Sequence, residues 1–160
     1  MLKYSDYVKL DGIAAAEGIR NKQFTSAELT ACAINRAQQI NPSINAIVHE
    51  SFDLARKQAR HFDKQPVLPK QSRVAGLPFL IKDLAEVKGL PATYGSALYE
   101  NHVSHQHTNI VAKYIQAGLT ILGKTNTPEL GLTITTEPRT NESSRNPWNL
   151  DYSTGGSSGG

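Results

Sequence analysis

With one cysteine in 160 residues, Cys32, the chain cannot form an internal disulfide or a metal site built from several thiolates. Cys32 itself reads as a buried helix residue. No apolar run approaches the length needed to cross a membrane, and Met1-Leu2-Lys3-Tyr4-Ser5-Asp6 is too polar for a secretory signal, so a cytoplasmic protein is expected. In that setting the sequon Asn141-Glu142-Ser143 is expected to go unused. No basic run is present either. The 17 lysines and arginines are scattered among 14 acids, and a net charge of +3 without clustering argues against direct nucleic-acid binding. His102, His105 and His107 match no helix face and read as a solvated loop, with no metal assigned to them. No repeat of fixed period appears.

A hydrophobic content of 39% and a charged content of 19% suit a globular domain. The first 65 residues read as an all-helical segment. Asp11 to Asn21 is apolar at Ile13, Ala16 and Ile19, and the capping box of Thr25 to Glu28 opens a second helix that is expected to stop near Asn41-Pro42. A short extended piece from Ile44 to Val48 and a third helix from Ser51 to about Asp63 follow, then a proline-containing loop over Lys64 to Ser72. From residue 66 onward the pattern turns to strand, helix, strand. Leu77 to Ile81 is an apolar run read as a strand buried on both faces, Asn109 to Ala117 is a helix stopped by Gly118, and Leu119 to Gly123 is a second buried strand. That alternation predicts an α/β fold.

Two features carry chemistry. Lys82 closes the first strand, at the edge where ligands and reactive groups gather in open α/β sheets. The chain ends in Gly155-Gly156-Ser157-Ser158-Gly159-Gly160, which alone has the composition of a flexible spacer. Together with a lysine at a strand end it acquires a second reading, a catalytic loop, because a serine hydroxyl is a poor nucleophile unless an adjacent base removes its proton. Lysine can do so only when neutral. From an ordinary value of about 10.4, a drop of roughly three units costs about 4 kcal/mol of desolvation or like-charge repulsion. Phe79, Leu80, Ile81 and Leu84 offer desolvation, whereas Asp83 would oppose it unless strand alternation turns its carboxylate away.

In order along the chain, Gly76-Leu77-Pro78-Phe79-Leu80-Ile81-Lys82-Asp83, Gly123-Lys124-Thr125-Asn126-Thr127-Pro128-Glu129, Arg145-Asn146-Pro147-Trp148-Asn149 and the terminal Gly-Ser segment resemble the amidase signature family. Thr135-Thr136-Glu137-Pro138 is most similar to the branch acting on 6-aminohexanoate cyclic dimer. The resemblance implies the front part of an α/β/α fold with a mixed sheet. It also implies a Ser-cisSer-Lys triad in which Lys82 is the base and Ser157 the bridging serine, with no metal or organic cofactor. The nucleophile and oxyanion hole would come from a later glycine-rich segment, so residues 1–160 are expected to be an incomplete amidase domain, inactive alone. Without that later half to hold it, the loop from Gly155 to Gly160 is expected to be disordered or trans. Gly156, Ser158, Thr125, Asn126 and Glu129 are the candidates for supporting the loop or touching substrate, and Trp148 reads as an anchor for the approach to it.

The implied activity is hydrolysis of a carboxamide or a linear or cyclic amide through an acyl-serine, or, within the same family, transamidation that uses glutamine and needs a partner protein. One reading from another class is a non-catalytic module that self-associates, or pairs with a C-terminal half, through an exposed sheet edge.

Overall fold

The computed structural model describes residues 2–64 and 72–160. The loop expected over 64–72 and the boundary expected at 65/66 thus fall almost wholly outside the described residues. In chain order the elements are α1 (Tyr4–Tyr7), α2 (Gly12–Arg20), α3 (Ser26–Ile44), β1 (Ile47–Glu50), α4 (Phe52–Asp63), β2 (Pro78–Lys82), α5 (Asn109–Gln116) and β3 (Thr120–Thr125), with short 3-10 turns at Ala97–Tyr99 and Glu129–Gly131. They form a mixed α/β structure.

Local chemistry explains the helix starts. Asp11 caps α2 by accepting from Ala14 N at 2.7 Å. At α3 the capping box is reciprocal: Thr25 Oγ1 accepts from Glu28 N at 3.1 Å, and Glu28 Oε2 accepts from Thr25 N at 3.0 Å. Asp63 adds its carboxylate to the same helix start, accepting from Ser26 N at 2.8 Å and Ala27 N at 2.9 Å, where an anion meets the positive end of the helix.

The end of α3 differs from expectation. The helix runs through Pro42 to Ile44 although proline cannot donate to Gln38 O, and Asn45, at φ 47°, closes the turn by donating its N–H to Asn41 O at 2.7 Å. The extended piece expected at 44–48 is displaced accordingly to Ile47–Glu50, so the first 65 residues are not all-helical.

The sheet order is β1-β3-β2. β1 runs antiparallel to β3, with Ile47 opposite Thr125, His49 opposite Lys124 and Glu50 opposite Gly123, and an irregularity between Ile47 and His49. β2 runs parallel to β3, as the bonds from Thr120 N to Leu77 O (2.8 Å) and from Asp83 N to Thr125 O (3.0 Å) require. Central β3 is buried at all six residues. Edge strand β2 is not buried on both faces as its apolar run suggests: Ile81 is buried, while Phe79 is 37% exposed and rests edge-on against Tyr114 at 5.0 Å.

The chain divides into two compact units. One comprises residues 1–36, 51–79 and 113–122; the other comprises 37–50, 80–112 and 123–160. The first holds an apolar core of Ala15, Ala16, Ile19, Phe24, Leu29, Phe62, Ala75 and Leu77. Everything described for the site below lies in the second.

Candidate active site

Lys82 ends β2, and its Nζ donates to Ser157 Oγ at 2.5 Å, joining positions 75 residues apart. Lys82 is half-buried and Ser157 exposed. The approach is made possible by what backs the serine. The Glu129–Gly131 turn carries positive φ at Leu130 (51°) and Gly131 (72°), and a Cβ at Gly131 would stand 3.5 Å from Ser157 Oγ and 2.7 Å from Leu84 Cδ1. The positive φ and the crowding against Leu84 favour glycine there, in a turn that lies against Ser157.

The Gly-Ser segment does not follow the expectation of a disordered or trans loop. The Gly156–Ser157 and Ser157–Ser158 bonds are both cis. Contacts available within these residues hold the loop. Buried Thr136 donates its Oγ1 proton to Gly155 O at 2.8 Å, Ser153 Oγ accepts from Gly155 N at 3.1 Å, and Lys82 holds Ser157. A Cβ on Gly156 would lie 2.9 Å from Thr136 Oγ1 and 3.3 Å from the Thr135 carbonyl carbon, so this position requires glycine.

The other residues singled out in the sequence go to different partners. Thr125 accepts the Asp83 N–H through its backbone oxygen. Asn126, fully buried, donates from Nδ2 to Glu142 O and Ser144 Oγ, both at 3.0 Å. Its backbone nitrogen nonetheless lies close to Gly160, tightly enough to exclude a side chain there. Glu129 accepts from Ser96 Oγ at 2.6 Å. Each therefore braces the turns around the loop. Trp148 is 95% exposed, against its reading as an anchor packed by its ring; the path from Arg145 is held instead by the Arg145–Ser153 bridge and by Asn146 Oδ1 accepting from Trp148 N at 3.0 Å.

Asp83 resolves as alternation along the strand predicts. Its carboxylate is buried and accepts from Lys124 Nζ (2.6 Å), Thr93 N (3.1 Å) and Thr93 Oγ1 (2.5 Å). Lys124 Nζ, also buried, donates further to Pro91 O at 3.1 Å. Burial pushes the Lys124 ammonium below the ordinary lysine value against the pull of Asp83. His49 Nε2 lies 3.8 Å from Asp83 Oδ2, is buried, and has no hydrogen-bond partner among the described residues. None of Lys124, Thr93 and His49 stood out in the sequence as a site residue. Lys124 stands between a short apolar run and Thr125-Asn126-Thr127, and its partner is 41 residues away.

His49 gives a measurable pH dependence. Desolvation, aided by Lys124, holds its imidazole below the usual histidine value. The unfolded chain therefore binds a proton more readily than the folded one, and stability is lost as pH falls below about 6.5 towards the depressed folded value. In thermal melts between pH 7.5 and pH 5, His49→Gln is expected to flatten this acid loss; a profile parallel to wild type would assign the loss to other groups.

Away from Ser157, Glu86 Oε1 accepts from Tyr94 OH at 2.8 Å and lies 3.2 Å from His102 Nε2. These contacts lower the Glu86 carboxyl, while burial and Glu86 push the Tyr94 phenol up to about 12. His107 Nδ1 accepts from Lys88 N at 3.0 Å, so His102 and His107 turn to separate partners, and His105 is exposed. Among the described residues, no group of three or more His, Cys, Asp or Glu is placed to hold a metal, and no helix is long and apolar enough to cross a membrane.

Comparison with known proteins places this geometry in a family. The family model described as Amidase matches residues 28–160. A glutamyl-tRNA(Gln) amidotransferase subunit of Pseudomonas putida is 37% identical over 145 residues, covering 91% of this chain and 30% of the relative. Among solved structures, 6-aminohexanoate cyclic dimer hydrolase complexed with substrate superposes with a TM-score of 0.83 at 34% identity, over 93% of this chain and 30% of the other. A bacterial aryl acylamidase of the amidase signature family gives a TM-score of 0.83 at 31% identity, over 94% of this chain and 32% of the other. The chain thus spans about 30% of the length of the curated relative it matches.

Proposed function

The chain belongs to the amidase signature family, and on that premise we propose that it supplies the base and the bridging serine of a Ser-cisSer-Lys triad that cleaves an amide C–N bond. The observation that carries this reading is the 2.5 Å bond between Lys82 Nζ and Ser157 Oγ. With Lys82 neutral, Ser157 passes its proton to Nζ while taking one from the attacking serine, which adds to the amide carbonyl. Collapse expels the amine with a proton returned through the same pair, and water then releases the acid from the acyl-serine.

The attacking serine and the oxyanion donors are assigned to sequence following Gly160, in keeping with the matched 30% of the relative. Residues 1–160 alone are proposed to be inactive. The proposed substrate is a small carboxamide or a linear or cyclic amide, with no metal or organic cofactor. Likeness to the cyclic dimer hydrolase supports the hydrolytic form. Likeness to the amidotransferase supports a second reading, in which ammonia from glutamine is passed on inside a complex.

Acid release from a panel of primary, anilide and cyclic amides by the full-length protein, beside Ser157→Ala, tests the proposal. Hydrolysis reduced about 100-fold or more in the variant is expected, the scale of losing one proton-transfer partner. Hydrolysis unchanged in Ser157→Ala removes Ser157 from the chemistry, and glutamine hydrolysis alone favours the second reading.

A further inference from the structure

We infer that Lys124 is a positioning residue for the Lys82–Ser157 pair, acting through its buried ion pair with Asp83. The inference rests on the catalytic reading of Lys82 and goes beyond it, because Lys124 and Asp83 make no hydrogen bond to either reacting side chain.

The argument begins with geometry. Asp83 follows Lys82 directly and is tied at four points: its carboxylate takes Lys124 Nζ, Thr93 N and Thr93 Oγ1, and its own N–H donates to Thr125 O. Lys124 is in turn tied to Pro91 O. Two chain segments, β3 and the loop of Pro91 and Thr93, therefore converge on the residue adjoining the lysine, and they fix the direction in which Lys82 leaves β2. Orientation of this kind is worth much in catalysis, since a 1 Å displacement of a reacting group can cost about 100-fold in rate.

Charge supplies the second step. Asp83 places a buried carboxylate next in sequence to Lys82, and a buried charge needs a partner. Lys124, fully buried and 2.6 Å from Asp83 Oδ1, meets that charge from the other side. Among the described residues, the titratable and charged groups that interact with this carboxylate include Lys124 on β3, His49 on β1 and the Tyr94 phenol from the loop after β2, which also brings uncharged Thr93. Stability is a poor reason for such a pair, because well-packed apolar residues of similar volume commonly serve a buried site as well or better.

That last point gives the test its leverage. In the full-length protein the double variant Asp83→Leu/Lys124→Met removes both charges while keeping an apolar fill. It is expected to melt near wild type, yet to lose about 100-fold in kcat with KM within about threefold. Lys124→Arg, which keeps the charge, is expected to recover about tenfold over Lys124→Met. A double variant that folds and retains wild-type kcat overturns the inference, as does a loss appearing wholly in KM. Should the double variant fail to fold, Asp83→Asn keeps the volume and is expected to lose about tenfold in kcat alone; wild-type kcat there is equally fatal. Lys82→Ala, assayed in parallel, separates the two levels. If it lowers hydrolysis about 1,000-fold while the Asp83 and Lys124 variants keep wild-type kcat, the catalytic reading stands and the positioning role falls. If Lys82→Ala is fully active, both fall.

Discussion

Lys82→Ala in the full-length protein is expected to lower kcat for amide hydrolysis by about 1,000-fold, the middle of the range for losing a general base, with little change in KM. The size follows from the absence of a substitute. Ser157 Oγ receives its hydrogen bond from Lys82, and the neighbouring amine, Lys124, is already committed to Asp83 and Pro91 O. Lys82→Arg sharpens the test. A guanidinium keeps the charge and can still donate to Ser157, but it does not give up its proton in proteins, so it cannot act as the base. It is expected to be as inactive as alanine. If steady-state kinetics instead found Lys82→Arg within tenfold of wild type, Lys82 would be an electrostatic or structural partner of Ser157 and the proposed proton path would be wrong. Because Lys82 is half-buried at a strand end, both variants should melt close to wild type, which separates lost chemistry from lost fold.

Gly123→Ala is the structural counterpart, with an expected destabilisation of about 3 kcal/mol, the upper part of the usual range for overpacking. Gly123 lies in β3 opposite Glu50, beside the irregularity in the β1 pairing. An added Cβ would overlap the His49 carbonyl oxygen and stand 3.2 Å from its carbon and 3.3 Å from Glu50 Cα. These are backbone atoms of a paired strand, so no rotamer change relieves the contact; the strands must part, and Lys124, next in β3, would move with them. For a domain of this size the change corresponds to a fall in Tm of about 6–12 °C. A melting temperature within a degree of wild type would mean that the β1–β3 pairing yields more easily than its geometry implies.

Much of this was legible in the sequence, and the exceptions share a cause. The capping box at Thr25 and Glu28, the stop at Gly118 and the strand ending in Lys82 are local signals, and the structure follows them. The bond between Lys82 and Ser157 joins distant positions, and it was anticipated through the order of short family-like segments and not through any local rule. What local reading missed was decided by tertiary context. α3 outlasts Pro42 because Asn45 closes its last turn; β2 shows Phe79 because it is an edge strand; Lys124 is a buried cation because Asp83, 41 residues away, comes to meet it. Asn126 and Glu129 bond through their side chains to Glu142, Ser144 and Ser96, partners whose proximity only the folded chain creates.

The interleaving of the two units along the chain bears on how the protein is made. Each draws on three separate stretches, the first reaching to residue 122 and the second to residue 160. On a translating ribosome neither can complete itself when its first stretch emerges. The early helices must wait for 113–122, and Lys82 waits for a serine made 75 residues later. Closing such long loops before any contact rewards them slows folding. For the same reason, no single proteolytic cut releases either unit as a contiguous fragment.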